Sequence, residues 1–201
     1  MIERIVLTGA GGKLGSYLRG PISNLCKVLI STDIKEPIGD LHINESFYKA
    51  DLSNFDEILK ILKGATMVCH FGALVDETPF HKMLGPNFIG SYNIWESAKQ
   101  NNVKRIIYAS SMSVYGKTKS TSIKENHPLK PLSCYGISKL ASENYLRIMA
   151  KKINPIVLRM FNVYGPGQNM ENLNQGMVSI YLAQFLSKNK VVVKGSKNRV
   201  R

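Results

Sequence analysis

The chain has 201 residues, 44% apolar and 20% charged, an ordinary globular composition that excludes a disordered, collagenous or small disulfide-built protein. No run approaches the roughly 18 apolar residues of a membrane span, and Met1-Ile2-Glu3-Arg4 runs straight into apolar residues and glycines, unlike a signal peptide. The net charge of +13 is uneven: residues 1–100 carry 10 Lys and Arg against 11 Asp and Glu, residues 101–201 carry 17 against 3. Such a half fits a solvated basic face, a chain whose acidic remainder lies elsewhere, or an anionic partner. No aromatic stripe interleaves the basic residues, so nucleic acid is not the expected partner. Cys26, Cys69 and Cys134 are odd in number and scattered, which reads as reduced thiols in a cytoplasmic protein. Neither they nor the four histidines show ligand spacing, so no metal is expected.

Strand-like apolar runs fall at 2–8, 27–33, 47–51, 65–71, 105–111 and 155–160. Helix-length stretches lie between them, at about 12–20, 53–63, 80–101 and 134–152. Ser53 with Asp56 and Glu57 marks a helix start and Gly64 its end; Ser133 or Cys134 opens the long helix that carries Ser138, Lys139 and Glu143. Trp95, Tyr92, Ile94 and Ala98 share the 80–101 helix as core or dimer-face residues. After a turn-rich segment at 162–167, a helix at about 175–188 and a strand at 191–194 follow. Short buried strands alternating with helices predict an α/β protein with a doubly wound parallel sheet.

Three groups of residues carry chemistry. Gly9, Gly12 and Gly15 are spaced G-x-x-G-x-x-G between the first strand and first helix. Such a turn lets a pyrophosphate approach the backbone at a helix N-terminus, and it also fits a plain strand–helix turn. Asp33 ends the second strand, where a carboxylate accepts from both ribose hydroxyls of an adenosine and repels a 2′-phosphate, which favours NAD over NADP. Lys35 nearby weakens that preference. Tyr135 and Lys139, four apart, share one helix face. An ammonium about 4–6 Å away favours a phenolate; lowering the phenol by about 3 pKa units takes roughly 4 kcal/mol. Ser110 and Ser111, at the end of the fifth strand, place a hydroxyl where open α/β sheets bind ligands.

Together with the run 158–167 (Leu-Arg-Met-Phe-Asn-Val-Tyr-Gly-Pro-Gly), these residues resemble the extended short-chain dehydrogenase/reductases, and within them the nucleotide-sugar epimerase/dehydratase family, over essentially the whole chain. The resemblance implies a Rossmann fold, bound NAD, a catalytic set of Ser111, Tyr135 and Lys139, and a nucleoside-diphosphate sugar as substrate. It implies cofactor contacts from Gly9, Gly12, Lys13, Leu14 and Gly15; from Asp33, Asp51 and Leu52; from Phe71, Gly72 and Ala73; and from Asn87, Tyr135 and Lys139. Asn87 would also buttress the active-site strands. Ser111, Asn162 and Arg201 would contact substrate, the last two at its diphosphate. A homodimer through helices of the 80–101 type is the family's default.

Residues 110–115 (Ser-Ser-Met-Ser-Val-Tyr) contain no acid. The related dehydratases and decarboxylases carry one there, so what remains is epimerisation, a UDP-hexose 4-epimerase above all, or simple oxidation. The stretch 75–80 also resembles uronate dehydrogenases, although the 162–167 run fits them poorly. A non-enzymatic NAD-binding remnant is the third alternative. Family members usually run to about 300 residues. Residues 1–165 are therefore expected to form the NAD-binding domain, and 166–201 the start of a substrate lobe that continues elsewhere, with residues such as Met177, Ile180, Tyr181 and Phe185 left exposed.

Overall fold

A computed structural model describes residues 1–75, 78–118, 122–151, 153–166, 168, 170 and 177–193. Six parallel strands form one sheet in the order β3-β2-β1-β4-β5-β6: β1 Ile2–Thr8, β2 Cys26–Asp33, β3 Glu45–Lys49, β4 Met67–His70, β5 Arg105–Ser111 and β6 Asn154–Met160. The chain winds outward from β1 to β3, then returns to place β4 on the other side of β1. That reversal opens a crevice beyond the carboxyl ends of β1 and β4, the ligand position of such sheets.

Successive residues of a strand face opposite sides, and both sides are covered. Val6, Ile30, Val68 and Ile106 pack against Ile58, Ile94, Trp95 and Leu146 on one face. Ile5, Leu7, Leu29 and Cys69 pack towards Ile22 on the other. Each fully buried aliphatic side chain contributes about 1.5–3 kcal/mol. The helices that supply these residues are α1 Lys13–Ser23, α2 Phe55–Ile61, α4 Gly90–Gln100 and α5 Cys134–Met149.

The structure departs from the sequence expectations in four places. Helix α1 passes through Pro21 to Ser23 instead of stopping at Gly20. Asn54, not Ser53, caps α2, accepting from the Glu57 amide at 3.3 Å. The expected single helix at 80–101 is three pieces: α3 Phe80–Met83, a π-helical stretch Leu84–Ile89, and α4. Pro86 lacks an N–H and would crowd the carbonyl four residues back, so the helix widens around it. Residues 191–193 form no strand: the Val192 amide donates to the Gln184 side chain at 2.8 Å. Helix α6, Met177–Lys188, leaves Met177 and Phe185 exposed and Ile180 and Tyr181 half-buried. Tyr92 is also exposed and packs on Tyr145, whereas Ile94, Trp95 and Ala98 are core.

Beneath the crevice lies an enclosed polar residue, His70. Its Nδ1 is 2.7 Å from Thr8 Oγ1, its Nε2 is 3.3 Å from Ser91 Oγ, and its ring stacks on Tyr108. The Thr8 oxygen already accepts the Gly72 amide, so its proton is free for Nδ1. The network is complete with a neutral ring. Burial, helped by the Lys139 charge, holds His70 down to about 3. The unfolded chain takes up this proton near pH 6.5 and the fold resists it to about pH 3, so stability falls as pH falls through that window, by at most about 1.4 kcal/mol per unit from this group. Urea unfolding between pH 7 and 4 is expected to show a shallower loss for His70→Asn than for the parent; equal slopes would exclude His70 as a source of acid sensitivity.

Candidate active site

The strand ends meet at a cleft of about 820 Å³. Its floor is the turn after β1. Gly9 has φ +78°, and a Cβ there would lie 2.6 Å from the Gly72 nitrogen; a Cβ on Gly15 would lie 1.9 Å from the Gly9 oxygen. Only glycines let the β4 turn and helix α1 close on this loop. Helix α1 begins at Lys13 with Gly12 before it and no side chain capping its first amides. Gly9, Gly12, Lys13, Leu14 and Gly15 all line the cleft. A bare helix N-terminus against a glycine-rich turn is a cradle for a phosphate.

Asp33 also lines the cleft. Its two oxygens accept the Gly11 and Lys35 amides, each at 3.1 Å, and each keeps a further lone pair. Asp51 and Leu52 line the same side, with Asp51 Oδ1 held by the Ser53 amide and hydroxyl, both at 2.8 Å. Phe71, Gly72 and Ala73 form the wall above β4. The turn, the cradle and the strand-end acid fit a dinucleotide.

At the other end stand Ser111, Tyr135 and Lys139. Ser133 caps α5, its Oγ accepting the Gly136 amide at 3.0 Å, which puts Tyr135 in the first turn and Lys139 one turn on. Lys139 Nζ donates to the Ala109 carbonyl at 2.8 Å and lies 5.0 Å from the Tyr108 ring centroid and 5.6 Å from that of Tyr135. Burial pulls Lys139 down to about 7, against the pull of the Glu143 charge. Burial pushes the Tyr135 phenol up to about 12, against a hydrogen bond with Ser111. The expected lowering of the phenol by its lysine is therefore not met by the chain's own groups. Dehydration of the phenol is the larger effect.

Not every expected residue reaches the cleft. Asn87 is buried and spends its amide elsewhere: Oδ1 accepts the Leu74 amide at 2.8 Å, and Nδ2 donates to the Leu74 carbonyl at 2.9 Å and to Ser138 Oγ at 3.1 Å. It clamps the β4 loop to α5, a buttress and not a lining group. Phe161 and Val163 line the cleft while Asn162, between them, does not. Arg201, Gly167, Lys194, Asp76 and Glu77 lie outside the described residues. Two features were missed. Tyr17 of α1 donates to the Pro166 carbonyl at 2.5 Å, joining the turn side of the cleft to the segment after β6. Glu143 and Arg159 form a half-buried ion pair at 2.8 Å beneath the end of the cleft that holds Ser111, Tyr135 and Lys139. An acid eight residues beyond Tyr135, and a lone arginine within an apolar strand, were the available signals.

Residues 5–201 match the NAD dependent epimerase/dehydratase family, and the chain belongs to it. A uronate dehydrogenase of Pseudomonas syringae pv. tomato is 36% identical over 143 residues, 71% of this chain and 52% of that protein. The solved UDP-glucose 4-epimerase of Thermotoga maritima, with UDP-glucose, superposes with a TM-score of 0.83 at 27% identity, covering 91% of this chain and 63% of that one. MoeE5 in complex with UDP-glucuronic acid and NAD gives 0.80, 28% identity, 90% and 60%. The chain thus spans about half to two thirds of the length of these relatives.

The turn geometry makes a sharp prediction. Gly15→Ala forces a methyl into the Gly9 carbonyl, and relief of such overlap costs about 1–3 kcal/mol. Calorimetry is expected to show NAD affinity weakened by about tenfold or more together with a lower melting temperature; unchanged values of both would contradict the cradle as described.

Proposed function

We propose that the chain is an NAD-dependent epimerase of nucleotide sugars, acting on a UDP-hexose at C4 through a transient 4-keto sugar. The observation that carries this reading is one cleft with a dinucleotide cradle at one end and Ser111, Tyr135 and Lys139 at the other. Among the described lining residues the only carboxylates, Asp33 and Asp51, stand beyond β2 and β3, away from the reacting end. Water elimination and decarboxylation would have no additional acid there. The likeness to the epimerase structure runs over 91% of the chain, against 78% for a solved uronate dehydrogenase.

In this reading Gly9, Gly12, Lys13, Leu14 and Gly15 hold the pyrophosphate. Asp33 takes the ribose hydroxyls, Asp51 and Leu52 flank the adenine, and Phe71 to Ala73 line the nicotinamide side. The bound dinucleotide supplies a hydride acceptor and a positive charge beside Tyr135. Tyr135 accepts the proton of the sugar 4-hydroxyl and returns it on the other face. Ser111 donates to the same oxygen and keeps it within reach of the phenol. Lys139 holds its ammonium beside the pair and stabilises the phenolate. Asn162 and Arg201 are assigned to the substrate diphosphate, whose charge suits the basic second half of the chain. Residues 1–165 serve as the cofactor domain and 166–201 as part of a substrate lobe. A homodimer and a cytoplasmic setting with reduced thiols complete the reading.

The uronate dehydrogenase relative favours a second reading, oxidation of a free uronate with release of NADH. Interconversion of UDP-glucose and UDP-galactose without net NADH selects the first; steady NADH release with glucuronate selects the second. Tyr135→Phe is expected to leave NAD binding near normal and to reduce turnover on the order of 100-fold or more; turnover within a few-fold of the parent would remove Tyr135 from the mechanism. Asp33→Ala is expected to weaken NAD and improve relative NADP affinity, and a parent that already prefers NADP would refute the role given to Asp33.

A further inference from the structure

Two acids are buried among the described residues, Glu45 and Glu143. Glu45 is matched by Arg19 at 2.7 Å near the β3 edge, far from the reacting groups. Glu143 lies on α5 one turn beyond Lys139 and two beyond Tyr135, so the three share a face. Its side chain is 2% exposed. Ser110 Oγ donates to its Oε1, Arg159 Nε lies 3.1 Å from both oxygens, and Arg159 Nη2 donates to Oε2 at 2.8 Å. Ser110 precedes Ser111 at the end of β5, and Arg159 stands opposite Ser110 in the β6 register. The remaining Arg159 nitrogen donates to the Tyr115 hydroxyl at 3.1 Å and the Glu125 carbonyl at 2.8 Å. One carboxylate therefore staples the ends of β5 and β6 to the helix that carries the reacting pair.

The charges point the same way. Glu143 divides its charge between Arg159 and Lys139, and the buried Lys139 ammonium has the Ala109 carbonyl and the Tyr108 and Tyr135 rings close to it among the described residues. The group that would balance it is a Tyr135 phenolate. A buried charge is expensive without a partner, so the arrangement is neutral overall when Tyr135 is ionised. We propose that Glu143 is a positioning residue, which keeps Lys139 an ammonium and locks the Ser111 strand end against the helix that presents Tyr135.

This rests on the reading of Tyr135 as the base. Among the groups around Lys139, Glu143 is the one whose charge opposes the lowering by burial. His70, from β4, is held neutral and Tyr108, from β5, is pushed above the usual phenol range by burial. Arg159, from β6, commits its charge to Glu143, and Ser91 and Asn87 carry none. Removing the Glu143 charge should therefore lower the pH at which Lys139 loses its proton.

The test needs no substrate. In the chain labelled with 13C at the lysine ε-carbons, the Lys139 signal, assigned with Lys139→Arg, is titrated by NMR. Glu143→Gln is expected to move its midpoint down by about one unit or more, and Glu143→Asp to restore most of the shift. Glu143→Gln leaves Arg159 unpaired, so Glu143→Gln combined with Arg159→Gln provides a second variant with both charges replaced by amides, and a smaller drop in the same direction is expected, because the Arg159 charge that disfavours a Lys139 cation leaves with the acid. A midpoint within about 0.3 units of the parent in a folded variant would overturn the proposal. Turnover of Tyr135→Phe separates the two readings. An active Tyr135→Phe removes the base itself, whereas an inactive one with an unshifted Lys139 removes only the role of Glu143.

Discussion

A lysine held out of water is the constraint on which the reacting end of the molecule depends. Dehydration of Lys139 is costly, and every neighbour answers it: the Ala109 carbonyl, the Tyr108 ring and the Glu143 carboxylate on the next turn. The same dehydration makes Tyr135 a poor acid. Neither group is prepared for proton transfer alone. The pair is prepared together, because a phenolate and an ammonium stabilise each other most where water screens them least. With the chain's own groups Tyr135 stays a poor acid; in the proposed reaction a bound nicotinamide would bring a further positive charge beside it.

The fold delivers this arrangement by putting all six strand ends and two helix starts at one crevice. The reversal of strand order between β1 and β4 separates the two halves of the cleft. The glycine turn and Asp33 belong to the outward winding through β2; Ser111, Tyr135 and Lys139 belong to the return through β5 and α5. Asn87 connects the halves by clamping the loop after β4 to α5 at Ser138, from the π-helical stretch that Pro86 imposes. The Tyr17 bond to Pro166 connects them a second time, across the outside of the cleft.

How much of this is legible in the sequence follows from the range of each interaction. The glycine turn, the strand-end Asp33 and the Tyr135–Lys139 spacing are local patterns, and all sit on the cleft as expected. The six strands were found because each is a short apolar run, with edges displaced by up to two residues where the pairing register, and not hydrophobicity, ends the strand. What escaped depends on partners far apart in the chain. Tyr17 meets Pro166 across 149 residues. The Glu143–Arg159 pair spans 16 residues and two elements. The phenol shift was misjudged for a related reason: spacing reveals a neighbouring charge but not the loss of water around it.

The central claim is that a hydride leaves the sugar and returns to it within one cleft, with Tyr135 as the base. The most direct measurement uses UDP-galactose carrying deuterium at C4, incubated with the protein and an excess of unlabelled NAD. The account predicts UDP-glucose that retains the deuterium at C4, with none in free NADH. Deuterium accumulating in released NADH, or lost to water, would contradict it.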